Sequence, residues 1–286
     1  MIIRAPAKLN LSLRVVGKRK DGYHLLDSVM VPVSLYDEIR IIKKTGARRG
    51  RQSRIAVTCD HPGVPSGKKN LVYKAASLLL QGKGVRQPVQ IKIFKRIPVG
   101  GGLGGGSSDA AATLVGLNRL WGLGHTVKKL RQLGVSLGAD VPFFIPPRPS
   151  RARGIGDLLT PLKKFPLLWF VILYPGFQVS SARVYRQWRG KLTKTKVNTS
   201  ITASLTESAK LKTLLVNDLE SVALRCYPRL GKLKERLASQ GAAGVLMSGS
   251  GSSVFGLFNS RRSAAQAFRR LRKEEGSEAF LVRVLN

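Results

Sequence analysis

Residues 100–106 contain six glycines, and only Leu103 interrupts them. Glycine loses more conformational freedom on folding than any other residue, so this glycine tract indicates that the backbone itself is used. An alternating apolar pattern predicts a strand over residues 89–94, before the tract, and residues 111–121 carry apolar side chains at helical spacing after it. Backbone N–H groups in such a loop, together with the positive end of the following helix, form a cradle for an anion. We therefore expect a phosphate group to bind here, with a flexible hinge as the structural alternative.

Two widespread phosphate loops do not match this tract. A loop of the G-x-x-x-x-G-K-[ST] type requires a lysine where Gly106 stands, directly before Ser107. A dinucleotide-binding loop requires an acidic residue about 20 positions further on, and the first acidic residue after Asp109 is Asp140. The hydroxyls of Ser107 and Ser108 are suited to a phosphate oxygen or to the Mg²⁺ that accompanies ATP. The tract is therefore a candidate ATP site of another kind.

Strand and helix patterns are mixed along the chain without a regular βαβ repeat, which predicts an α+β fold. Besides residues 89–94, apolar patterns predict strands over residues 9–15, 167–174, 245–247, 254–258 and 280–285. Helical spacing predicts helices directly after Asn70, over residues 230–237 and over residues 264–271. The proline- and arginine-rich residues 146–153 are expected to connect two domains, 1–150 and 151–286.

The chain is strongly basic, since fifty Lys and Arg residues against fifteen Asp and Glu give a formal net charge of +35. Such a charge favours anionic partners without distinguishing nucleic acid from phosphorylated metabolites. The basic clusters lack interleaved aromatic side chains, which favours a solvated surface over a nucleic-acid-binding face. No apolar run approaches the roughly 20 residues of a membrane span, and Cys59 and Cys226 lack metal-ligand spacing. We expect a cytoplasmic protein that requires neither membrane nor nucleic acid.

Three further places carry residue types that perform chemistry. Lys8 and Asn10 alternate on the predicted first strand, so their side chains point the same way about 6.6 Å apart on its polar face. Asp140 lies in an apolar, glycine-flanked segment, where an aspartate serves either as a cap or as a positioned base. Tyr23 and His24 offer a ring face and a polar edge. On the residues alone, a surface lysine, a cap and a structural aromatic pair remain the alternatives.

Residues 98–111 resemble the phosphate loop P-x-G-G-G-L-G-G-G-S-S-[DN]-A-A of the GHMP kinase superfamily. Residues 6–11 with 21–24, and residues 246–255, resemble the first and third motifs of one branch of that superfamily. Shorter stretches at 70–72, 137–142, 175–176 and 217–220 follow that branch in the same order, so the resemblance extends over nearly the whole chain. It implies an N-terminal half like ribosomal protein S5 domain 2 and a ferredoxin-like C-terminal half.

The resemblance implies a kinase that transfers phosphate from ATP, with Mg²⁺, to the 2-hydroxyl of diphosphocytidyl methylerythritol in isoprenoid synthesis. Asp140 is the expected base, Lys8 its electrostatic partner, and Lys95 is expected to assist nucleotide binding. The expected substrate-binding residues are Asn10, Tyr23, His24 and Tyr185. The expected ATP-binding residues are Pro98, Val99, Gly100, Gly101, Gly102, Leu103, Gly104, Gly105, Gly106, Ser107 and Ser108. Metal ligands and the oligomeric state are not predicted.

Two alternatives to this function remain, and one segment departs from the branch. Another kinase of the superfamily, acting on mevalonate or homoserine, would not need the aromatic pair at residues 23–24. A basic nucleic-acid-binding protein on the same fold would suit the net charge, but it would not need Lys8 and Asp140. Residues 148–153 carry three arginines where the branch usually has small residues, and Asp157 replaces a common glutamate. These arginines are expected to affect the approach of the substrate diphosphate.

Overall fold

The computed structural model describes residues 1–44, 54–81, 87–190, 192 and 213–286. The strands are β1 (Ile2–Lys18), β2 (His24–Lys43), β3 (Ile55–Cys59), β4 (Val89–Phe94), β5 (Ser150–Gly154), β6 (Leu158–Pro161), β7 (Trp169–Tyr174), β8 (Val216–Asn217), β9 (Gly244–Met247), β10 (Val254–Phe258) and β11 (Glu278–Arg283). The helices are α1 (Leu71–Leu80), α2 (Gly105–Leu120), α3 (Val127–Leu137), α4 (Ser181–Gln187), α5 (Glu220–Cys226), α6 (Arg229–Ser239) and α7 (Arg261–Leu271). Short 3₁₀ helices lie at Gly67–Lys69 and Val141–Phe143.

Strands and helices are mixed along the chain, which confirms the predicted α+β class. The chain forms two compact units, each built from several segments. Unit 1 comprises Met1–Ala7, Tyr36–Val99 and Gly104–Pro147, and unit 2 comprises Lys8–Leu35, Gly100–Leu103 and Arg148–Asn286. Because β1 and β2 each contribute residues to both units, the units interleave along the chain and do not divide at residue 150. The division into family domains at that residue stays a prediction.

Unit 1 contains paired strands and several helices, among them α2, which follows the glycine tract. β4 pairs antiparallel with the end of β2, where Ile41 is the register partner of Ile91, and β3 runs parallel to β4. Helix α1 packs against α2. Gly116 of α2 lies so close to the strands that a Cβ atom there would come within 2.3 Å of Ile3 and 2.7 Å of Ile41. This glycine therefore allows α2 to dock tightly on the strands.

In unit 2, four antiparallel strands follow the order β11-β7-β10-β9. With α6 and α7 as connections, they run in the chain order β7, α6, β9, β10, α7, β11, which is the β-α-β-β-α-β pattern of a ferredoxin-like fold. The elements α4, β8 and α5 are additions to that pattern. The core of this unit includes the buried side chains of Leu233, Leu237 and Leu271. The expected ferredoxin-like C-terminal half is therefore confirmed.

The strand predicted over residues 9–15 is the middle of β1, but the expectation of one polar face is wrong. Every residue from 5 to 13 is buried, and Lys8 is only 5 % exposed and Asn10 only 3 %. The alternation of apolar and polar residues therefore does not separate core from solvent at this strand. Buried polar groups in native proteins are hydrogen-bonded, so the partners of these two side chains become the question.

Most other predicted elements are confirmed, namely the strands at 89–94, 167–174, 245–247, 254–258 and 280–285 and the helices at 230–237 and 264–271. The Asn70 side chain caps α1 by accepting the N–H of Val72 at 2.8 Å. The connection predicted at residues 146–153 is wrong in its second part, because Ser150–Gly154 forms β5 and pairs with β2. None of the helices in the described part of the chain combines the length and apolarity that a membrane span requires.

Candidate active site

The glycine tract leads directly into helix α2, as the sequence predicts. Gly104, with a φ of +73°, is the N-cap of this 16-residue helix, and its carbonyl accepts the N–H of Ser108 at 2.9 Å. The first N–H groups of an α-helix have no acceptor within the helix, and the helix dipole adds a partial positive charge there. The end of the tract is therefore suited to hold a phosphate group.

The middle of the tract belongs to unit 2, where it is held against β1 and against the turn between β9 and β10. The carbonyl of Leu103 accepts the N–H of Lys8 at 2.9 Å. Gly102 has a φ of +76°, and a Cβ atom there would lie 2.3 Å from the carbonyl oxygen of Ser248. Glycine at position 102 is therefore required both by the backbone conformation and by this close approach.

Lys8 and Asn10 form a hydrogen-bonded pair in unit 2. The Lys8 ammonium donates to Oδ1 of Asn10, and Nδ2 of Asn10 donates to Oγ of Ser28 at 2.8 Å. Ser28 in turn donates to the carbonyl oxygen of Ser12 at 2.5 Å. Because Ser28 engages the amide nitrogen, Asn10 turns its oxygen toward Lys8. Asn10, held by Ser28, therefore helps to orient the Lys8 ammonium.

The serine- and glycine-rich turn between β9 and β10 adjoins this pair. Oγ of Ser248 accepts the N–H of Asn10 at 3.4 Å and donates to the carbonyl of Gly102 at 3.1 Å. A Cβ atom added at Gly249 would lie 3.5 Å from the ammonium nitrogen of Lys8. Residues from all three motifs quoted from the sequence therefore meet around Lys8 within one unit.

Asn217 braces this turn, a role that the sequence analysis does not assign. Its Nδ2 donates to the carbonyl oxygens of Met247 at 2.8 Å and Gly249 at 2.7 Å, and its Oδ1 accepts the N–H of Leu219 at 3.0 Å. Glu220 accepts the N–H of Met247 at 2.8 Å. In the sequence, residues 217–220 are only a short match to the kinase branch. In the folded chain, they hold the backbone of the third motif through these hydrogen bonds.

Asp140 lies in unit 1, directly before the 3₁₀ helix Val141–Phe143, and is partly exposed. Its side chain makes no capping hydrogen bond to that helix, so the alternative of a helix cap is not realised. A partly exposed carboxylate in this segment is suited to meet a substrate hydroxyl. Lys8 belongs to the other unit, and its pairing with Asp140 stays a prediction.

His24 and Tyr185, expected to bind the same substrate, lie together in unit 2. Their ring centroids are 5.2 Å apart at an interplanar angle of 23°, and Trp188 meets His24 edge-on at 5.8 Å. Partial burial, followed by the charge of Lys18, lowers the pKa of His24. The imidazole is therefore neutral at pH 7, when one nitrogen donates and the other accepts. Sequence reasoning missed Trp188, since no motif includes it.

Tyr23 precedes this stack in the chain and is far more exposed. Its side chain is 62 % exposed, at a turn where Oδ1 of Asp21 accepts the backbone N–H of Tyr23 at 3.2 Å. The ring contacts of His24 are made with Tyr185 and Trp188. The phenol ring of Tyr23 is therefore accessible to the flat face of a ligand.

Lys95, which we expected to assist the nucleotide, is held by two carboxylates of unit 1. Its ammonium contacts Asp37 and lies 2.9 Å from Oδ2 of Asp109. Asp109 stands at the [DN] position of the phosphate-loop motif, but neither Asp109 nor Asp37 has an assigned role in the sequence analysis, because the sequence does not show that a carboxylate will be buried. The available signal is scarcity, since the chain has only fifteen acidic residues and each one is conspicuous.

Arg151 of the arginine-rich segment forms a partly buried ion pair with Asp27. Its Nε and Nη2 donate to the two carboxylate oxygens at 2.7 and 2.5 Å, a bidentate geometry that is both strong and directional. Arg151 therefore fastens β5 to β2. Arg148 and Arg153 of the same segment are exposed. The expected effect on the approach of a substrate diphosphate stays a prediction for these two residues.

A magnesium site was left unassigned by the sequence, and one hydroxyl fits the requirement. The described residues contain no cluster of three His, Cys, Asp or Glu side chains that could hold a metal ion. Mg²⁺ that binds together with phosphates needs only one or two protein oxygens, because water and phosphate supply the remaining ligands. Oγ of Ser108 is buried and makes no hydrogen bond within the described part of the chain.

The chain matches known proteins over nearly its whole length. Residues 70–146 match the family model of the GHMP kinases N terminal domain, and residues 202–277 match that of the GHMP kinases C terminal. A 4-diphosphocytidyl-2-C-methyl-D-erythritol kinase of Geobacter sp. (strain M21) is 47% identical over 281 residues, which are 98% of both chains. A relative of the same name from Syntrophus aciditrophicus (strain SB) is 43% identical and covers 99% of both chains.

Solved structures agree with these matches. A crystal structure of 4-(cytidine 5'-diphospho)-2C-methyl-D-erythritol kinase superposes with a TM-score of 0.85, at 36% identity and with full coverage of both chains. Homoserine kinase from Cytophaga hutchinsonii superposes with a TM-score of 0.73 at 20% identity, covering 99% of this chain and 94% of that one. The second likeness shows a shared fold alone.

Proposed function

Since the chain belongs to the GHMP kinases and, within them, to the family of the 4-diphosphocytidyl-2-C-methyl-D-erythritol kinases, we propose that it catalyses the reaction of that family. The chain is an ATP-dependent small-molecule kinase. In the proposed reaction the γ-phosphoryl group of ATP moves to the 2-hydroxyl of 4-diphosphocytidyl-2-C-methyl-D-erythritol. The bond from the γ-phosphorus to the bridging oxygen breaks, and ADP leaves. The product serves isoprenoid synthesis by the non-mevalonate route.

The observation that carries this proposal is the convergence of the three motifs on Lys8. The glycine tract accepts the backbone N–H of Lys8 through Leu103, and the third motif accepts the N–H of Asn10 through Ser248. A strand lysine at such a junction is suited to neutralise charge on the transferring phosphoryl group and on the attacking oxygen, the main task of a phosphotransferase. Asn10 keeps the ammonium oriented and retains capacity to hydrogen-bond the erythritol hydroxyls.

Asp140 is the base in the proposed mechanism. Its carboxylate takes the proton of the substrate 2-hydroxyl as the oxygen attacks the γ-phosphorus in line with the leaving ADP. Its position directly before the 3₁₀ helix Val141–Phe143 and its partial exposure support this role. Lys8 would favour the ionised form of Asp140 through its opposite charge.

ATP would bind through the glycine tract, from Pro98 to Ser108. The N–H groups at the beginning of α2 are arranged to donate to phosphate oxygens. The buried hydroxyl of Ser108 would hold the Mg²⁺ that ATP brings. Mg²⁺ supplies neutralisation of the phosphate charge when it is bound.

Cytidine recognition is proposed for Tyr23, His24 and Tyr185. The neutral imidazole of His24 pairs with a polar base edge, since it donates from one nitrogen and accepts at the other. The stacked face of Tyr185 and the accessible ring of Tyr23 provide apolar surface for the base. Mevalonate and homoserine lack a base, so this aromatic group favours the cytidyl substrate.

We also propose that the enzyme works in the cytoplasm on a freely diffusing substrate. Both cysteines, Cys59 and Cys226, are unpaired thiols, in keeping with a reducing compartment. The net charge of +35 would raise the encounter rate with ATP and with a diphosphate substrate.

The test is ADP release by the purified chain with Mg-ATP, run in parallel on the diphosphocytidyl substrate, mevalonate and homoserine. We expect turnover with the diphosphocytidyl substrate alone. Asp140→Ala should lower kcat by about 10²- to 10⁴-fold, whereas Glu235→Ala, an exposed carboxylate of α6, should leave turnover unchanged. A folded chain that binds ATP and turns over none of the three substrates would contradict the proposal.

A further inference from the structure

Unit 1 buries three charged side chains that the proposed reaction does not use, those of Lys95, Asp37 and Asp109. Their side chains are between 0 and 4 % exposed. Burial of charged groups is strongly unfavourable unless they pair and hydrogen-bond with one another. Such a cluster, placed where the chain enters and leaves the glycine tract, calls for a role beyond packing. These three side chains are called the charge triad below.

The charge triad holds the segment that enters the glycine tract. Oδ1 of Asp37 on β2 accepts the backbone N–H groups of Arg96 at 2.6 Å and Ile97 at 2.9 Å, and its Oδ2 contacts the Lys95 ammonium. Oδ1 of Asp60 accepts the backbone N–H of Lys95 at 2.9 Å. All three residues before Pro98 are therefore fixed by their backbone to carboxylates.

The same triad holds the helix that leaves the tract. Oδ2 of Asp109, one turn into α2, lies 2.9 Å from Nζ of Lys95. A Cβ atom added at Gly105, the first residue of α2, would lie 3.1 Å from that Nζ. The ammonium therefore packs directly against the beginning of the helix. A single buried charge connects the two ends of the tract within unit 1.

We propose that Lys95 is a positioning residue for nucleotide binding, which, with Asp37 and Asp109, fixes both ends of the glycine tract before ATP arrives. The proposal deepens the proposed function and rests on ATP binding at this tract. A free chain of six glycines would lose much conformational entropy on closing around phosphates. Holding the ends in place removes part of that loss and so strengthens nucleotide binding.

The charges of the triad argue against Lys95 as a direct nucleotide ligand. An ammonium that turned toward a nucleotide would leave two buried carboxylates facing each other, which is strongly unfavourable. Burial, opposed by Lys95 and reinforced by Asp37, raises the pKa of Asp109 to about 7. Two further titratable groups lie beside the triad: Asp60, which accepts the backbone N–H of Lys95, and Cys59 at the end of β3, whose thiol is affected by the charges of Lys95 and Asp109. Near neutral pH the Asp109 carboxyl is therefore partly protonated.

The first test measures ADP affinity of the full chain by calorimetry and kcat at saturating ATP. Lys95→Met should weaken ADP binding by about 10- to 100-fold, the effect of a small misplacement of positioned groups, while kcat changes by less than about threefold. Lys92→Met is the matched control, because Lys92 lies on the same strand β4 and is exposed. Its affinity should equal that of the wild type.

The second test separates positioning from direct contact and does not depend on the folding of Lys95→Met. The double variant Lys95→Met/Asp109→Asn should recover most of the lost affinity, because only one buried carboxylate then lacks a cation. Asp109→Asn alone should match the wild type in ADP affinity at pH 6. At pH 8, where the wild-type carboxylate is ionised and pairs with Lys95, this variant should bind ADP about fivefold more weakly. The variant is compared with the wild type at each pH, so the titration of ADP itself cancels in the ratio of the two affinities.

The contrary results distinguish a failure of the proposed function from a failure of the positioning role of Lys95. A wild-type chain that binds no ADP would refute the proposed function together with this inference. A wild-type chain that binds ADP and turns over, with unchanged affinity in Lys95→Met, would refute the positioning role alone. The positioning role would also be refuted if the double variant showed no recovery of ADP affinity, because Lys95 would then be a direct ligand. It would be refuted as well if the ratio of ADP affinity between Asp109→Asn and the wild type were equal at pH 6 and pH 8.

Discussion

Lys8 in unit 2 and Lys95 in unit 1 are buried to a similar extent, but their surroundings differ. Lys8 donates to the amide oxygen of Asn10, which Ser28 orients in turn. Lys95 contacts the carboxylates of Asp37 and Asp109. The Asn10 amide orients the Lys8 ammonium, whereas the two carboxylates beside Lys95 cancel the charge of that ammonium and resist its movement. The first arrangement suits chemistry on a phosphoryl group, and the second suits support of the backbone.

This difference in partners indicates how to assign roles to buried lysines that sequence motifs do not distinguish. In the sequence Lys95 stands beside the phosphate loop and Lys8 stands far from it, so proximity along the chain favours Lys95 as the nucleotide ligand. In the fold, Lys8 adjoins the middle of the loop, and Lys95 adjoins its ends. The type of partner is therefore a better guide to role than sequence distance.

The largest expected effect is on stability. Lys95→Met leaves two buried carboxylates without their cation and should lower the free energy of unfolding by about 3–5 kcal/mol, measured by urea denaturation. Lys8→Met removes the hydrogen bond from the Lys8 ammonium to the Asn10 amide and should lower the free energy of unfolding by about 1–3 kcal/mol. Equal losses in the two variants would remove the distinction between the two sites.

The pH dependence of the free energy of unfolding tests the same comparison between the Lys8 and Lys95 sites. Because burial raises the pKa of Asp109 to about 7, the folded chain holds a proton that the unfolded chain has already released above about pH 4. The free energy of unfolding contributed by this group should fall as the pH rises from about 4 to 7, and stay level beyond. Asp109→Asn should remove that slope, whereas Asn10→Asp, beside the Lys8 ammonium, should introduce a new one. An unchanged slope in Asp109→Asn would contradict the burial of an ionisable triad.

Substrate binding should be affected less than stability. Tyr185→Ala removes the ring that stacks on His24 and should raise KM for the diphosphocytidyl substrate about 5- to 100-fold, the contribution of one base stacked on an aromatic ring. Tyr185→Phe keeps the ring and should stay close to the wild type. An unchanged KM in Tyr185→Ala would remove this residue from the cytidine site.

The smallest expected effect concerns the orientation of Asn10. Ser28→Ala leaves the amide nitrogen of Asn10 without its acceptor, so the amide can turn away from Lys8, and kcat should fall about threefold to tenfold. ADP affinity should stay unchanged, since Ser28 has no part in the charge triad. Ser28→Thr, which keeps the hydroxyl, should restore kcat, and a failure of this rescue would point to a packing defect.

Sequence reasoning predicted the parts of the fold that depend on local pattern. The glycine tract between a strand and a helix, the Asn70 cap and the helical face at residues 230–237 all follow from backbone chemistry and apolar spacing. Family resemblance implied a catalytic role for Lys8, but the contact between the first and third motifs beside it was not predicted. Hydropathy alone would have placed that lysine on the surface, because its burial depends on partners from distant segments.

The supporting residues could not be predicted because their roles exist only in the folded chain. Asn217 binds carbonyl groups 30 and 32 residues away, and Arg151 reaches Asp27 across 124 residues. Apolar periodicity carries no signal for such long-range polar pairs. The arginine-rich β5 was expected to be a connection, since proline and arginine locally resemble a linker and its pairing with β2 depends on a distant strand.

The most direct measurement of this account compares Lys8→Met and Lys95→Met side by side for ADP affinity and for kcat on the diphosphocytidyl substrate. We predict that Lys8→Met binds ADP within about twofold of the wild type and loses about 10²- to 10³-fold in kcat. Lys95→Met should instead lose about 10- to 100-fold in ADP affinity and keep kcat within about threefold. A loss of the same parameter in both variants would contradict the division of roles between the two buried lysines.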